Sequence, residues 1–131
     1  MREEAVRWLK ETERDVENAE ILHRNERYNS SCFYAPQSAE KAVKALLYTV
    51  NEAPWGHSVR VLLERYVEKS RNSEAASLLE FARELDRHYI PSRYPNAHPH
   101  GTAFEAYDST TSERAVQYAR RILEFASKVL G

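Results

Sequence analysis

Phe33-Tyr34-Ala35-Pro36-Gln37-Ser38-Ala39-Glu40-Lys41-Ala42-Val43-Lys44-Ala45-Leu46-Leu47 is the stretch on which the fold turns. Apolar residues recur through it at Phe33, Ala39, Val43, Leu46 and Leu47 and continue to Val50, the steps of one helix face. Pro36 falls near the start of this stripe. First-turn amides have no helical acceptor, so proline is tolerated there, and the helix proper is expected to begin at about Ala35. It ends before Ala53-Pro54-Trp55-Gly56, where proline and glycine together break the pattern.

The same periodicity extends to both sides. Towards the N-terminus, Ala5, Leu9, Thr12, Val16, Ala19 and Leu22 draw one face of a helix, which the polar run Asn25 to Asn29 interrupts. Beyond the break, Ser58 is positioned to cap a helix with Val59, Leu62, Leu63, Tyr66 and Val67 facing inward. Ser73 is expected to cap a fourth, with Ala75, Leu78, Leu79, Ala82 and Leu85 inside.

From Tyr89 to Ser109 the periodicity stops, among prolines at 91, 95 and 99 and a glycine at 101. A loop of about 20 residues is uncommon in a compact domain and is usually functional or disordered. Thr110-Thr111-Ser112-Glu113 then has the form of a capping box, opening a last helix that faces inward through Val116, Ala119, Ile122, Leu123, Ala126, Val129 and Leu130. The expectation is an all-α, antiparallel bundle of about five helices, with one long loop before the last.

At 131 residues the chain has the size of one domain, 1–131, and 42% hydrophobic residues supply a core. The 19 Lys and Arg against 20 Asp and Glu leave a formal net charge of −1, so only a local cluster of one sign would draw in a nucleic acid or a membrane. The single cysteine, Cys32, excludes an intrachain disulfide, and Met1-Arg2-Glu3-Glu4 lacks the apolar run of a signal peptide. A cytoplasmic protein is expected. No stretch reaches the roughly 20 apolar residues of a membrane-spanning helix.

Three segments carry a family resemblance. Gln37 to Leu47 reads Q-x-A-E-K-x-x-K-A-L-L; Gly56-His57-Ser58-Val59 with Leu62-Leu63 follows; and Leu85-Asp86-Arg87-His88-Tyr89-Ile90-Pro91-Ser92-Arg93-Tyr94-Pro95 reads L-x-x-x-Y-I-P-x-R-Y-P. In order and spacing the chain resembles the HEPN family, the higher eukaryote and prokaryote nucleotide-binding domains, over roughly Ala5 to Leu130. It departs at Pro36, where the family usually carries another residue, so the entry to the second helix is expected to be locally unusual. The resemblance implies a helical bundle that commonly dimerises and is often encoded beside a minimal nucleotidyltransferase as a toxin and antitoxin pair. In some branches it implies a metal-independent ribonuclease using an arginine and a histidine across a dimer; other branches bind without catalysis.

Arg83 and His88 fit that arginine-to-histidine spacing. An imidazole can move the proton of an RNA 2′-hydroxyl while a guanidinium holds the phosphate as charge builds. Glu84, where catalytic branches tend to carry a polar and often amide residue, places a carboxylate beside this site. Arg93 and Tyr94 pair a phosphate fork with a stacking ring, a combination suited to nucleotides. The structural alternative is that Tyr89, Ile90 and Tyr94 pin the loop while Arg93 bonds backbone carbonyls.

Gln37, Lys41, Lys44 and Tyr48 share a face of the second helix. Lys41 and Lys44 there could meet Arg83, Arg87 or Arg93 in a small anion cleft, with Glu40 pairing one of the lysines. His98-Pro99-His100 with His88 lacks metal-site geometry, so no metal or cofactor is expected. His57 reads as a helix-start residue, and Trp8 and Trp55 as core or dimer contacts.

The functional expectation is a binding module for a nucleotide or RNA, or for a nucleotidyltransferase partner, and a homodimer. The alternatives are a ribonuclease built on Arg83 and His88, and an interaction protein that binds no nucleotide.

Overall fold

The second helix is longer than its apolar stripe suggests and lies at the centre of the molecule. In the computed structural model, which describes residues 2–131, it runs over Tyr28–Thr49 (α2) and packs against α1 (Arg2–Arg24), α3 (Val59–Ser70), α5 (Leu79–Asp86) and α7 (Ser109–Leu130). From Ala35 to Leu47 nearly every side chain is buried, Glu40 and Lys44 among them. Alanines at 35, 39, 42 and 45 let neighbouring backbones approach, and Val43, Leu46 and Leu47 fill the space with Leu62 and Leu63 of α3 and Ile122 of α7. Tyr66 of α3 meets Phe125 of α7 edge to face, with centroids 6.2 Å apart.

Pro36 is therefore inside a helix and not at its start. The turns before it, Tyr28 to Ala35, are poor in strong helix formers, but Ser31, Cys32 and Ala35 are fully buried, and the Ser31 hydroxyl donates to the Ala19 carbonyl of α1 at 2.8 Å. Burial against α1 overrides local preference there. The short connection Asn25 to Arg27 makes α1 and α2 antiparallel, with Glu26 in the left-handed region at φ 61°.

The expected all-α bundle is what forms, with two refinements. The fourth helix divides into α4 (Ser73–Ala76) and α5 at Ser77 and Leu78, where Leu78 N bonds the Ala75 carbonyl three residues back and the chain tightens for one step. Its cap is Asn72, whose side chain accepts from Ala75 N at 2.9 Å; Ser73 is the first helical residue. The long loop holds a 3₁₀ turn at Pro95–Ala97 and the short helix α6 (Ala103–Ala106).

The capping box occurs in that loop. The Thr102 hydroxyl accepts from Glu105 N at 3.3 Å, while the Glu105 carboxylate accepts from Thr102 N at 3.0 Å. Gly101 precedes it at φ 71°, where a Cβ would stand 2.8 Å from that carboxylate. α7 is capped instead by Asp108, accepting from Thr111 N at 2.9 Å. Ser58 caps α3 as expected, accepting from Val61 N at 3.1 Å. No helix among the described residues is long and apolar enough to cross a membrane.

Candidate functional site

After α5 the chain coils through Arg87 to Arg93, with His88 N bonded to the Leu85 carbonyl, Tyr89 N to Asp86 and Arg93 N to Ile90. This coil is held from beneath. Asn29 of α2 donates to the Ser92 carbonyl at 3.1 Å, His98 Nε2 donates to the Pro91 carbonyl at 2.7 Å, and Ser92 and Ala103 are buried. Tyr89, Ile90 and Tyr94 lie on its outer side, 39%, 44% and 46% exposed, and the Arg93 bond to a backbone carbonyl that the structural alternative called for does form, to Tyr89.

Arg93 lies among these rings. Its guanidinium carbon is 4.9 Å from the ring centres of Phe33 and Tyr89 and 5.0 Å from that of Tyr94. Nε donates to the Tyr89 carbonyl at 3.1 Å, which fixes the side chain without occupying the outer nitrogens. The result is an oriented cation framed by two half-exposed aromatic rings.

His88 stands behind this coil, with Nδ1 2.8 Å from the Tyr107 hydroxyl. Burial lowers its pKa below 6.5, the Glu84 carboxylate opposes this, and the Arg87 and Arg114 charges reinforce it. The imidazole is consequently neutral at pH 7 and able to accept a proton. Burial, with the Cys32 thiol nearby, raises the Tyr107 phenol well above its usual value, so Tyr107 keeps its proton. The Cys32 thiol is itself pushed up to about 12, mainly by burial. Glu84 is paired with Arg87 at 3.2 Å, and Arg83 is exposed on the outer face of α5. Among the described residues no hydrogen bond joins Arg83 to His88.

The lysines of α2 are committed elsewhere. Lys41 pairs with Asp15 of α1 at 2.7 Å, and Lys44 with Glu40 at 3.0 Å in a nearly buried pair, with the ammonium 5.4 Å from the centre of the Trp8 ring. Glu40 thus pairs one lysine, as expected. The two lysines do not join Arg83, Arg87 or Arg93 within one chain, because the α1 and Glu40 carboxylates neutralise them first. Gln37, on the same helix, is partly exposed. Trp8 is partly buried against the core, whereas Trp55 is 77% exposed and no part of it. No group of three or more His, Cys, Asp or Glu residues is disposed to hold a metal among the described residues.

The model of the HEPN domain family matches residues 5–129. The chain belongs to the HEPN domain family. A candidate toxin of Methanocaldococcus jannaschii, MJ1304, is 27% identical over 124 residues, covering 89% of this chain and 82% of the relative. Among solved structures, TT1696 from Thermus thermophilus superposes with a TM-score of 0.87 at 36% identity, covering 95% of this chain and 96% of that one. ST0689, an archaeal HEPN homologue, gives 0.80 at 33%, covering 97% and 98%. The HEPN domain protein tm0613 of Thermotoga maritima gives 0.74 at 31%, covering 95% and 97%.

In this HEPN domain the three segments that carry the resemblance converge on one place. His57 Nδ1 is 3.5 Å from the Glu40 carboxylate of α2, and its ring faces that of Tyr89. Asp86, the last residue of α5, accepts from Ser58 Oγ at 2.6 Å, Val59 N at 2.7 Å and Arg60 N at 3.2 Å. It thereby satisfies the open end of α3 from outside, in the field that a helix N-terminus offers a carboxylate. Sequence reasoning placed no role on Asp86, and treated His57 only as a helix-start residue. The available signal was a carboxylate three residues ahead of Tyr89 and a serine after His57, neither informative until the fold places them together.

Proposed function

We propose that this HEPN domain is the RNA- or nucleotide-binding half of a toxin-like pair, working as a homodimer in the cytoplasm beside a minimal nucleotidyltransferase. The Arg93 guanidinium, fixed by its Nε bond and framed by the exposed Tyr89 and Tyr94, carries the reading: it supplies phosphate recognition and base stacking within one turn of chain. Arg87 and Gln37 are further polar contacts available to the ligand, with Lys41 and Lys44 behind them as structural ion pairs. The toxin-like part is supported by the relative MJ1304. Arg93→Ala is expected to weaken binding of a mixed single-stranded RNA at least tenfold with little change in thermal midpoint. Unchanged affinity with a large loss of stability would make Arg93 a loop anchor and leave an interaction protein that binds no nucleotide.

A second reading, a metal-independent endoribonuclease, is favoured by the neutral, Tyr107-bound His88. His88 would take the 2′-hydroxyl proton as that oxygen attacks phosphorus and the 5′-oxygen leaves, with Arg83 offsetting the growing charge from a second copy of the chain. RNA cleavage in the presence of chelator, lost in both His88→Ala and Arg83→Ala, supports it. An inactive wild-type protein removes it.

A further inference from the structure

Between His57 and Tyr89 the surface dips into a recess of about 220 Å³, lined also by Ser58 and Asp86. The two rings are close to parallel, with 20° between their planes and 6.4 Å between their centres. We propose that this recess is a nucleobase slot: His57 and Tyr89 stack on the two faces of the base, and Asp86 accepts a hydrogen bond from its exocyclic amino group. The proposal rests on the nucleotide-binding reading above and specifies which part of the ligand goes where.

The spacing nearly suits a sandwich. One planar ring between two others needs about 7 Å, twice an ordinary carbon contact. The 6.4 Å between the ring centres is the most the gap can be, so the slot has to widen by at least roughly half an ångström. His57 is the wall that can give: its side chain is 72% exposed and held only by the long 3.5 Å contact of Nδ1 with Glu40, and it follows Gly56, which sits at φ 108° with open space around it. Tyr89 is the fixed wall, its carbonyl tied to Arg93.

Size selects the base alone. The volume is below the roughly 300 Å³ at which pockets for drug-sized ligands begin, so a ring system fits and its sugar and phosphate must lie outside. A cation for that phosphate is on the same turn: Arg93 is 4.9 Å from the Tyr89 ring. Phosphate site and slot therefore share Tyr89 as a common wall.

Of the two polar groups from the helix ends, Ser58 already donates its hydroxyl proton to Asp86, and the Asp86 carboxylate is an acceptor and nothing else. A carboxylate offers about four lone-pair sites. Three of those on Asp86 are taken by Ser58, Val59 and Arg60, two of them at Oδ2 and one at Oδ1. One site on Oδ1 remains, on a group held rigidly by its other bonds. An amino group on a base satisfies it, whereas a ring carbonyl in the same position opposes it. The slot is thus expected to prefer adenine over hypoxanthine and cytosine over uracil, pairs that match in size. A larger surface recess, about 300 Å³ near Trp8 and Tyr48, is lined by Glu4, Arg7 and Glu11, and the Glu4–Arg7 pair at 3.0 Å neutralises its one cation.

The test is calorimetric titration of AMP, IMP, CMP and UMP into the wild-type chain and into the His57→Ala, His57→Phe and Arg93→Ala variants. AMP and CMP are expected to bind about tenfold more tightly than IMP and UMP. His57→Ala should weaken AMP about tenfold, and His57→Phe should restore it, with ribose 5-phosphate indifferent to both. If Arg93→Ala weakens AMP while His57→Ala does not, or if AMP and IMP bind alike, the slot is wrong and the phosphate-binding reading stands. If none of the four nucleotides binds wild type and RNA does not bind either, both fall together.

Discussion

At the scale of single residues, the carboxylate of Asp86 and the imidazole of His88 are near neighbours in the chain with unlike duties. Asp86 is the acceptor for two backbone amides and a hydroxyl at the start of α3. Asp86→Ala leaves these donors without a partner, and is expected to cost about 2 kcal/mol or more in urea unfolding. His88 is held neutral by burial, with a pKa below the 6.5 of its unfolded state. Below that pH the unfolded chain binds a proton that the folded chain refuses. Stability is therefore full above about pH 6.5 and falls as pH drops from there towards the lower folded pKa. The slope of stability between pH 7 and pH 5 should be shallower in His88→Asn than in wild type, and an identical slope would show that His88 is not the group responsible.

At the scale of elements, the helix stripes were readable because burial follows the helical period. Ala5, Val16 and Ala19, Leu62 and Leu63, and Ile122 and Ala126 all lie in the core where periodicity put them. Boundaries were less readable. Pro36 looked like a first-turn proline because its upstream residues, Tyr28 to Ala35, have weak helix propensity, and only the contact with α1 makes them helical. The threonine-to-glutamate spacing of a capping box occurs at Thr102–Glu105, whereas Asp108 was the better acceptor for α7. The recess at His57 was illegible for a different reason: its residues come from two separate segments, the approach to α3 and the end of α5, so no spacing in the chain announces it. The helix ends also carry strain that can be removed. α3 terminates at Arg71 with φ 57°, a left-handed conformation that a side chain disfavours. Arg71→Gly is expected to stabilise the fold by roughly 1 kcal/mol, measured by chemical denaturation; a loss would mean that the arginine side chain contributes packing there.

At the scale of the whole molecule, 19 basic and 20 acidic side chains leave no long-range field to draw in a polyanion. The lysines that would otherwise supply one, Lys41 and Lys44, are neutralised by Asp15 and Glu40. Affinity for RNA should therefore depend on a few local contacts. With Arg93 and Arg87 as the phosphate contacts, the logarithm of the binding constant should fall with the logarithm of salt with a slope no steeper than about −1.4. A much steeper slope would require further basic contacts beyond these two.

The bridge from Asp86 to the start of α3 also makes two peptide groups reporters. Val59 N and Arg60 N lie in the first turn of a helix, where amides have no acceptor in the preceding turn and ordinarily trade hydrogen for deuterium quickly. Here both are bonded to a side chain at the end of another helix. Their exchange is then limited by how often the end of α5 undocks from α3, a local opening rather than global unfolding. Slow deuterium uptake at these two positions would report the free energy of that local opening, residue by residue.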